Sequence, residues 1–299
     1  MAWNPHPDVL ILIALIGGGY AALALRGTRR APDLNIVTRR QLLLFYGGVF
    51  AIWVAAGTPI HDWGEEYLFS VHMVEHLLLS MVAAPLLVLG TPGWMVRPFL
   101  TNRRVFPVAK FLTFWLVAIM LYNGYTVFSH WPGVMDFILE HHAWHFVSHI
   151  ALMFTAVLLW WPVFSPLPEL PRMHFAGQMI YLFVQSLVPS IVASFLTFGT
   201  TPLYSFYVNA PRRWGLSPID DQVMSGLIMK IFGGTLIFVL MSIIFLRWYA
   251  HDEELDPDPL ERLDRLGPGA LNGEVDWSEV EQELARMGLT SAGRGGKAP

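Results

Sequence analysis

In the stretch SVHMVEHLLLSMVAAPLLVLG, Ser70 to Gly90, His72 and His76 stand four residues apart at the head of a long apolar run. On a helix that spacing puts both imidazoles on one face, about 6 Å apart along the axis, which suits two ligands of one metal ion. The stretch EHHAWHFVSH, Glu140 to His149, repeats the device. His142, His145 and His149 are related by i, i+3 and i+7 and share a stripe, while His141 points away. A third polar group, DDQVMSGLIMK, supplies Asp221, Gln222, Met224 and Lys230 at the head of another apolar run. Imidazole, with carboxylate or thioether and no thiolate, suits copper, and zinc or haem less selectively. The predicted metal ligands are His72, His76, His145 and His149, with Asp221 accepting the second N–H of one of them. His142, Met73, Met224 and Glu75 are further candidates.

These side chains must be positioned by elements that cross a membrane. The chain has 299 residues, 54% of them hydrophobic and 14% charged, too apolar for an ordinary soluble domain. Its apolar runs are separated by short charged or Pro/Gly-rich stretches. Seven spans are expected, near Val9–Leu25, Gln41–Ala56, Tyr67–Leu89, Val105–Phe128, Ala143–Trp161, Phe175–Phe198 and Asp221–Trp248. The fold class is therefore an all-α polytopic membrane protein, a seven-transmembrane-helix bundle. Pro85 and Pro189 fall inside spans and predict kinks. The first run lacks the flanks of a cleavable signal and is read as a retained helix.

Loop charges orient the bundle. Arg26, Arg29, Arg30, Arg39 and Arg40 mark the first loop, and Arg97, Arg103, Arg104 and Lys110 the third. The second and fourth loops carry no Lys or Arg. The positive-inside rule then places the N-terminus outside and the C-terminus in the cytoplasm, although Arg212 and Arg213 in the sixth loop run against it. In this orientation the third, fifth and seventh spans all begin outside. His72/His76, His145/His149 and Asp221 therefore share one depth, in the outer half of the membrane. A single intramembrane histidine can simply bond a neighbouring carbonyl. Two i,i+4 pairs at equal depth are better explained by a common site, because ionisable groups in spans face the bundle interior. His6, His61, His130, His174 and His251 are read as loop or interfacial residues, with His61 and His130 also on the outer side. The methionines are read mostly as packing.

Residues 1–250 form the membrane domain. Residues 251–299 are acidic and broken by Pro and Gly, so a largely disordered cytoplasmic tail is expected, with a short helix near residues 276–287. The absence of cysteine excludes disulfides, Cys-ligated zinc and iron–sulfur clusters within this chain, and no basic tract points to nucleic acid.

The segments HMVEHLLLSMVAAPLLVLGTP, HFVSHIALMFTAVLLWWPVFSPLP and DDQVMSGLIMK occur in this order, each at the start of a span. Together, over roughly Trp53 to Trp248, the chain resembles the multi-spanning CtaG family of cytochrome c oxidase assembly proteins. The resemblance implies a seven-helix bundle in the bacterial cell (inner) membrane. It also implies help in assembling haem–copper oxidase by supplying copper to its catalytic subunit, with an extracytoplasmic copper donor and membrane lipid as further partners. His72 and His76 match the family's first histidine pair, His145 and His149 the second, and Asp221–Gln222 its Asp-Gln. The second pair usually reads H-x-x-E-H, and here Ser148 stands at the acidic position. Lys230 stands where the family has tryptophan, and should face the bundle or snorkel.

Copper held between three spans and handed on needs no bond chemistry, so no enzyme is expected. Three rivals remain open. The first is a haem-binding membrane module with one histidine from each of two helices. The second is a copper transporter, for which the apolar inner halves of the spans offer little. The third is an intramembrane zinc metalloprotease, because HMVEH matches H-x-x-E-H with Glu75 as the base.

Overall fold

The computed structural model describes residues 6–30, 36–212 and 214–255, all in helices and short connections. Contacts divide the chain into two units after Phe245, and the polar cluster lies in the first. The tail and its expected helix near residues 276–287 lie outside the described residues.

The helices are α1 (Pro7–Arg30), α2 (Arg39–Ala56), α3 (Pro59–Glu66) and α4 (Phe69–Leu77). A π-helical segment (Leu78–Ala83) joins α4 to α5 (Ala84–Gly90). Then come α6 (Gly93–Leu100), α7 (Phe106–Leu112), α8 (Trp115–Ser129), α9 (Pro132–Glu140), α10 (His142–Phe164), α11 (Phe175–Phe198), α12 (Ser205–Asn209) and α13 (Pro218–Leu255). Five stretches are long and apolar enough to cross a membrane, and the number rises to seven if two bent pairs, α2 with α3 and α7 with α8, each count as a span. Exposed Leu, Ile and Phe on α1, α8, α11 and α13 give these helices the outward apolar faces a bilayer requires.

The expected fourth span, Val105–Phe128, is not one straight helix. It breaks at Thr113 and Phe114, and α7 meets α8 at 66°. The Thr113 hydroxyl donates to the Ala109 carbonyl and Phe114 is extended, which ends the first segment. The prolines also act differently from one another. Helix α11 runs unbroken through Pro189. Near Pro85 the chain widens into a π-helix, where the Ala84 N–H donates five residues back to Leu79. The next donor in that register would serve the Ser80 carbonyl, but it belongs to Pro85 and is missing. Trp160 on α10 supplies it, its indole N–H donating to Ser80 at 2.8 Å. A sequence-local defect thus becomes a tie between two spans.

Packing around α4 and α5 is close because small residues allow it. A Cβ on Gly90 would lie 2.3 Å from the Phe45 nitrogen on α2. Ala55, Ala83, Ala84 and Ala156 are fully buried in the main core with Leu159 and Trp160. A separate cluster of Phe69, Met73, Met135, Leu196, Tyr204 and Tyr207 closes the end of the bundle where α4 begins.

Candidate metal centre

Helix α4 has no side-chain cap of its own. Asp221, at the head of α13, caps it from another element, accepting the Phe69 N–H at 2.7 Å and the Ser70 N–H at 3.0 Å. This fixes the height of α4 so that His72 lies one turn further in. Next to it, Gln222 holds the loop after α11 by accepting the Leu203 N–H at 2.7 Å. The Asp-Gln pair therefore pins backbone. Asp221, expected as a histidine's partner, instead holds a backbone N–H on each oxygen, because the start of α4 offers orphan donors.

The two histidine pairs do meet. The rings of His72 and His76 are 4.2 Å apart, and those of His145 and His149 are 4.4 Å apart. Between helices, His72 lies 5.5 Å from His145, and His76 lies 5.3 Å from His149. His72 is 1% exposed, and neither of its ring nitrogens has a hydrogen-bond partner. The Nε2 atoms of His76, His145 and His149 are also buried and unpartnered. His149 further forms one wall of an apolar cavity of about 320 Å³ between α1, α2 and α10.

Three histidines expected in loops or at the interface join this cluster. His61 on α3 stacks 5.5 Å from His145 and lies 5.7 Å from His149. It gets there because α3 folds back against α4 at Gly64, where a Cβ would sit 2.9 Å from the His72 nitrogen. The Tyr207 hydroxyl donates to the Gly64 carbonyl and holds this approach. His130, at the end of α8, lies 6.5 Å from His76. Its Nδ1 is 2.7 Å from the Thr126 carbonyl, so that nitrogen carries the proton and the buried, unpartnered Nε2 keeps the lone pair. The Tyr204 hydroxyl donates to the His130 carbonyl. Burial, and after it the Asp136 carboxylate, push this phenol's pKa up, so it remains a donor. His6 stands 4.7 Å from His61 and bonds Asp62 at 2.9 Å.

Two carboxylates organise the rings. Glu75, wholly buried, accepts from His61 Nδ1 at 2.8 Å and lies 3.4 Å from His149 Nδ1. Glu65 on α3, not singled out in the sequence, lies 3.2 Å from His145 Nδ1. Ser148, at the family's acidic position, instead packs against the Tyr125 hydroxyl at 2.7 Å. The carboxylate missing from the second motif is thus supplied from α3. The spacing of His61 and Glu65, four residues apart on a loop helix, was the signal available for both.

The sulfur candidates do not reach the cluster. Met73 is buried in the Phe69 cluster, and Met224 is 44% exposed on α13. A residue next to a ligand in sequence is turned about 100° away from it on a helix. His142 is largely exposed and touches the group through Glu65, at 3.5 Å. Lys230 faces the bundle, donating to the Ser194 hydroxyl at 2.9 Å, with the Phe198 ring 5.5 Å away.

Fold and site together define a class: a multi-pass α-helical membrane protein with histidines from two spans clustered in its interior. More particularly, the chain belongs to the cytochrome c oxidase caa3 assembly factor family (Caa3_CtaG), whose profile matches residues 18–251. It is also similar to uncharacterized proteins of Mycobacterium bovis and Mycobacterium tuberculosis, 23% identical over 93% of this chain in each case. A Mycobacterium leprae protein is 23% identical over 81% of it. The chain spans 43% of the length of the first two relatives and 38% of the third. No solved structure matches the chain significantly.

Proposed function

We propose that this protein binds copper through His72, His76, His145 and His149 and delivers it to the catalytic subunit of a haem–copper oxidase. The observation that supports this is the set of buried ring nitrogens without partners on two helices, in rings whose neighbouring centroids lie 4.2 to 5.5 Å apart. Leaving a buried polar atom unsatisfied costs about 1–3 kcal/mol, so their convergence is best explained by a ligand that repays it. The donor set fits copper. Imidazole binds either oxidation state, and the lack of thiolate leaves an affinity from which the ion can be passed on.

On this reading Glu75 and Glu65 act on the far nitrogens of the rings. A carboxylate at Nδ1 holds the proton there, orients the imidazole and leaves Nε2 free to ligate. Glu75 is then an orienting group rather than a protease base. The bundle crosses the bacterial cell membrane seven times, with its N-terminus outside and its C-terminus in the cytoplasm, so the cluster opens towards an extracytoplasmic copper donor. The ion moves by ligand exchange, with no covalent step and no enzymatic activity. Direct ring-to-ring contact favours a small ion over a planar haem.

The test is copper content of the purified protein, wild type against His72→Ala/His76→Ala. The variant is expected to lose copper, and neither protein should show a Soret band. Equal copper in both would remove the site assignment.

A further inference from the structure

Glu65 has more imidazoles around it than an orienting role needs. His61 Nε2 lies 3.4 Å from one oxygen, while His145 Nδ1 and His142 Nδ1 lie 3.2 and 3.5 Å from the other. The ligating atoms of His61, Glu65 and His145 all fall within 4.8 Å of one another, as do those of His61, Glu75 and His149, and His142 stands beside the first group through its 3.5 Å contact with Glu65. Charge-assisted hydrogen bonds between imidazole and carboxylate are shorter, about 2.7–2.9 Å. The His61–Glu75 contact, at 2.8 Å, is one of these. Around an ion with ligands at about 2.0–2.1 Å, tetrahedral geometry puts neighbouring donors about 3.3–3.4 Å apart. The three nitrogen–oxygen contacts around Glu65 fall near that spacing, His61 on one carboxylate oxygen and His145 and His142 on the other.

The place in the fold also differs from that of the four-histidine position. The His142 side chain is 68% exposed and that of Glu65 19%, whereas His72 is sealed. The donors come from two short patterns, i,i+4 on α3 and i,i+3 at the start of α10. Both helices meet at the loop end of the bundle.

We propose that Glu65, His61 and His142, with Nδ1 of His145, form a second cation position at the exposed end of the cluster, suited to a divalent ion such as Zn²⁺ or Cu²⁺. A carboxylate makes it harder than an imidazole-only set, which selects a divalent ion. It rests on the four-histidine reading in one respect, the sharing of His145. A neutral imidazole has one lone pair, so His145 serves the outer position through Nδ1 or the inner one through Nε2. The two positions are then adjacent stops on one route inward from the surface.

The experiment is a Zn²⁺ titration of the purified full chain in detergent, against a competing chelator. Wild type should bind two equivalents. Glu65→Gln/His142→Ala should bind one, and His72→Ala/His76→Ala should also bind one. His142→Ala alone, at an exposed position that leaves packing intact, should weaken one equivalent at least about tenfold. A single equivalent in wild type that survives in Glu65→Gln/His142→Ala, two equivalents in that variant, loss of both in it, or an unchanged His142→Ala would each overturn the outer position. Two equivalents in His72→Ala/His76→Ala would instead overturn the four-histidine reading and leave the outer position standing.

Discussion

The wholly buried carboxylate of Glu75 accepts a 2.8 Å hydrogen bond from His61, a residue of a different helix, and lies 3.4 Å from His149 on a third. One acid therefore sets the orientation of two imidazoles that are 88 residues apart in sequence. Replacing it with Gln keeps the volume but removes the charge. Copper affinity should fall about 10–100-fold, as for other groups that orient metal-binding histidines, with stoichiometry unchanged. Competition against a copper chelator measures this. Abolished copper binding would make Glu75 a ligand itself.

Asp221 should behave as a structural cap. Asp221→Ala strips two buried backbone N–H groups of their acceptor and should cost about 2 kcal/mol or more. Asp221→Asn keeps an oxygen for one of them and should cost less. Thermal unfolding in detergent gives the order. At low temperature Asp221→Asn should retain wild-type copper content, which a metal ligand would not.

Trp160 substitutes for the N–H that Pro85 lacks. Trp160→Phe fills most of the space but leaves the Ser80 carbonyl unsatisfied in the core, a loss of about 1–3 kcal/mol. Adding Pro85→Ala restores a backbone donor there. The double variant should therefore recover part of the loss. Additive destabilisation in the same unfolding assay would count against the tie.

Gly64 sets how near α3 comes to His72. Gly64→Ala puts a methyl group 2.9 Å from a backbone nitrogen. The α3 helix must then shift, carrying His61 and Glu65 with it, and metal affinity should drop. Gly124→Ala is the control, since a Cβ there meets nothing within 4 Å. It should bind metal as wild type does.

The methionines separate packing from ligation. Met224→Ala, on an exposed face, should leave both stability and copper content unchanged. Met73→Ala should destabilise by about 2–5 kcal/mol, as for other buried large-to-small changes, without changing stoichiometry, whereas Met73→Leu should be nearly neutral. Loss of copper in the Leu variant would bring the Met73 sulfur back into the site.

The sequence alone determined the helical membrane architecture, because a bilayer forces apolar runs of span length and leaves charges to the loops. It also showed His72/His76 and His145/His149 as pairs at helical spacing near the heads of two apolar runs, since helix periodicity sets their faces. It could not separate the roles within the polar groups. Asp221 looked like a histidine's partner because it heads its own apolar run, yet the unpaired N–H groups at the start of α4 bind it instead. Glu75 looked peripheral because it precedes His76, but α3 and α10 bring His61 and His149 to it. His61, Glu65 and His130 sit in loop-like or terminal sequence with no span periodicity to expose them. Their place depends on α3 folding back at Gly64 and on where α8 ends. Such contacts between distant segments follow from packing and close backbone approach, which only the tertiary structure decides.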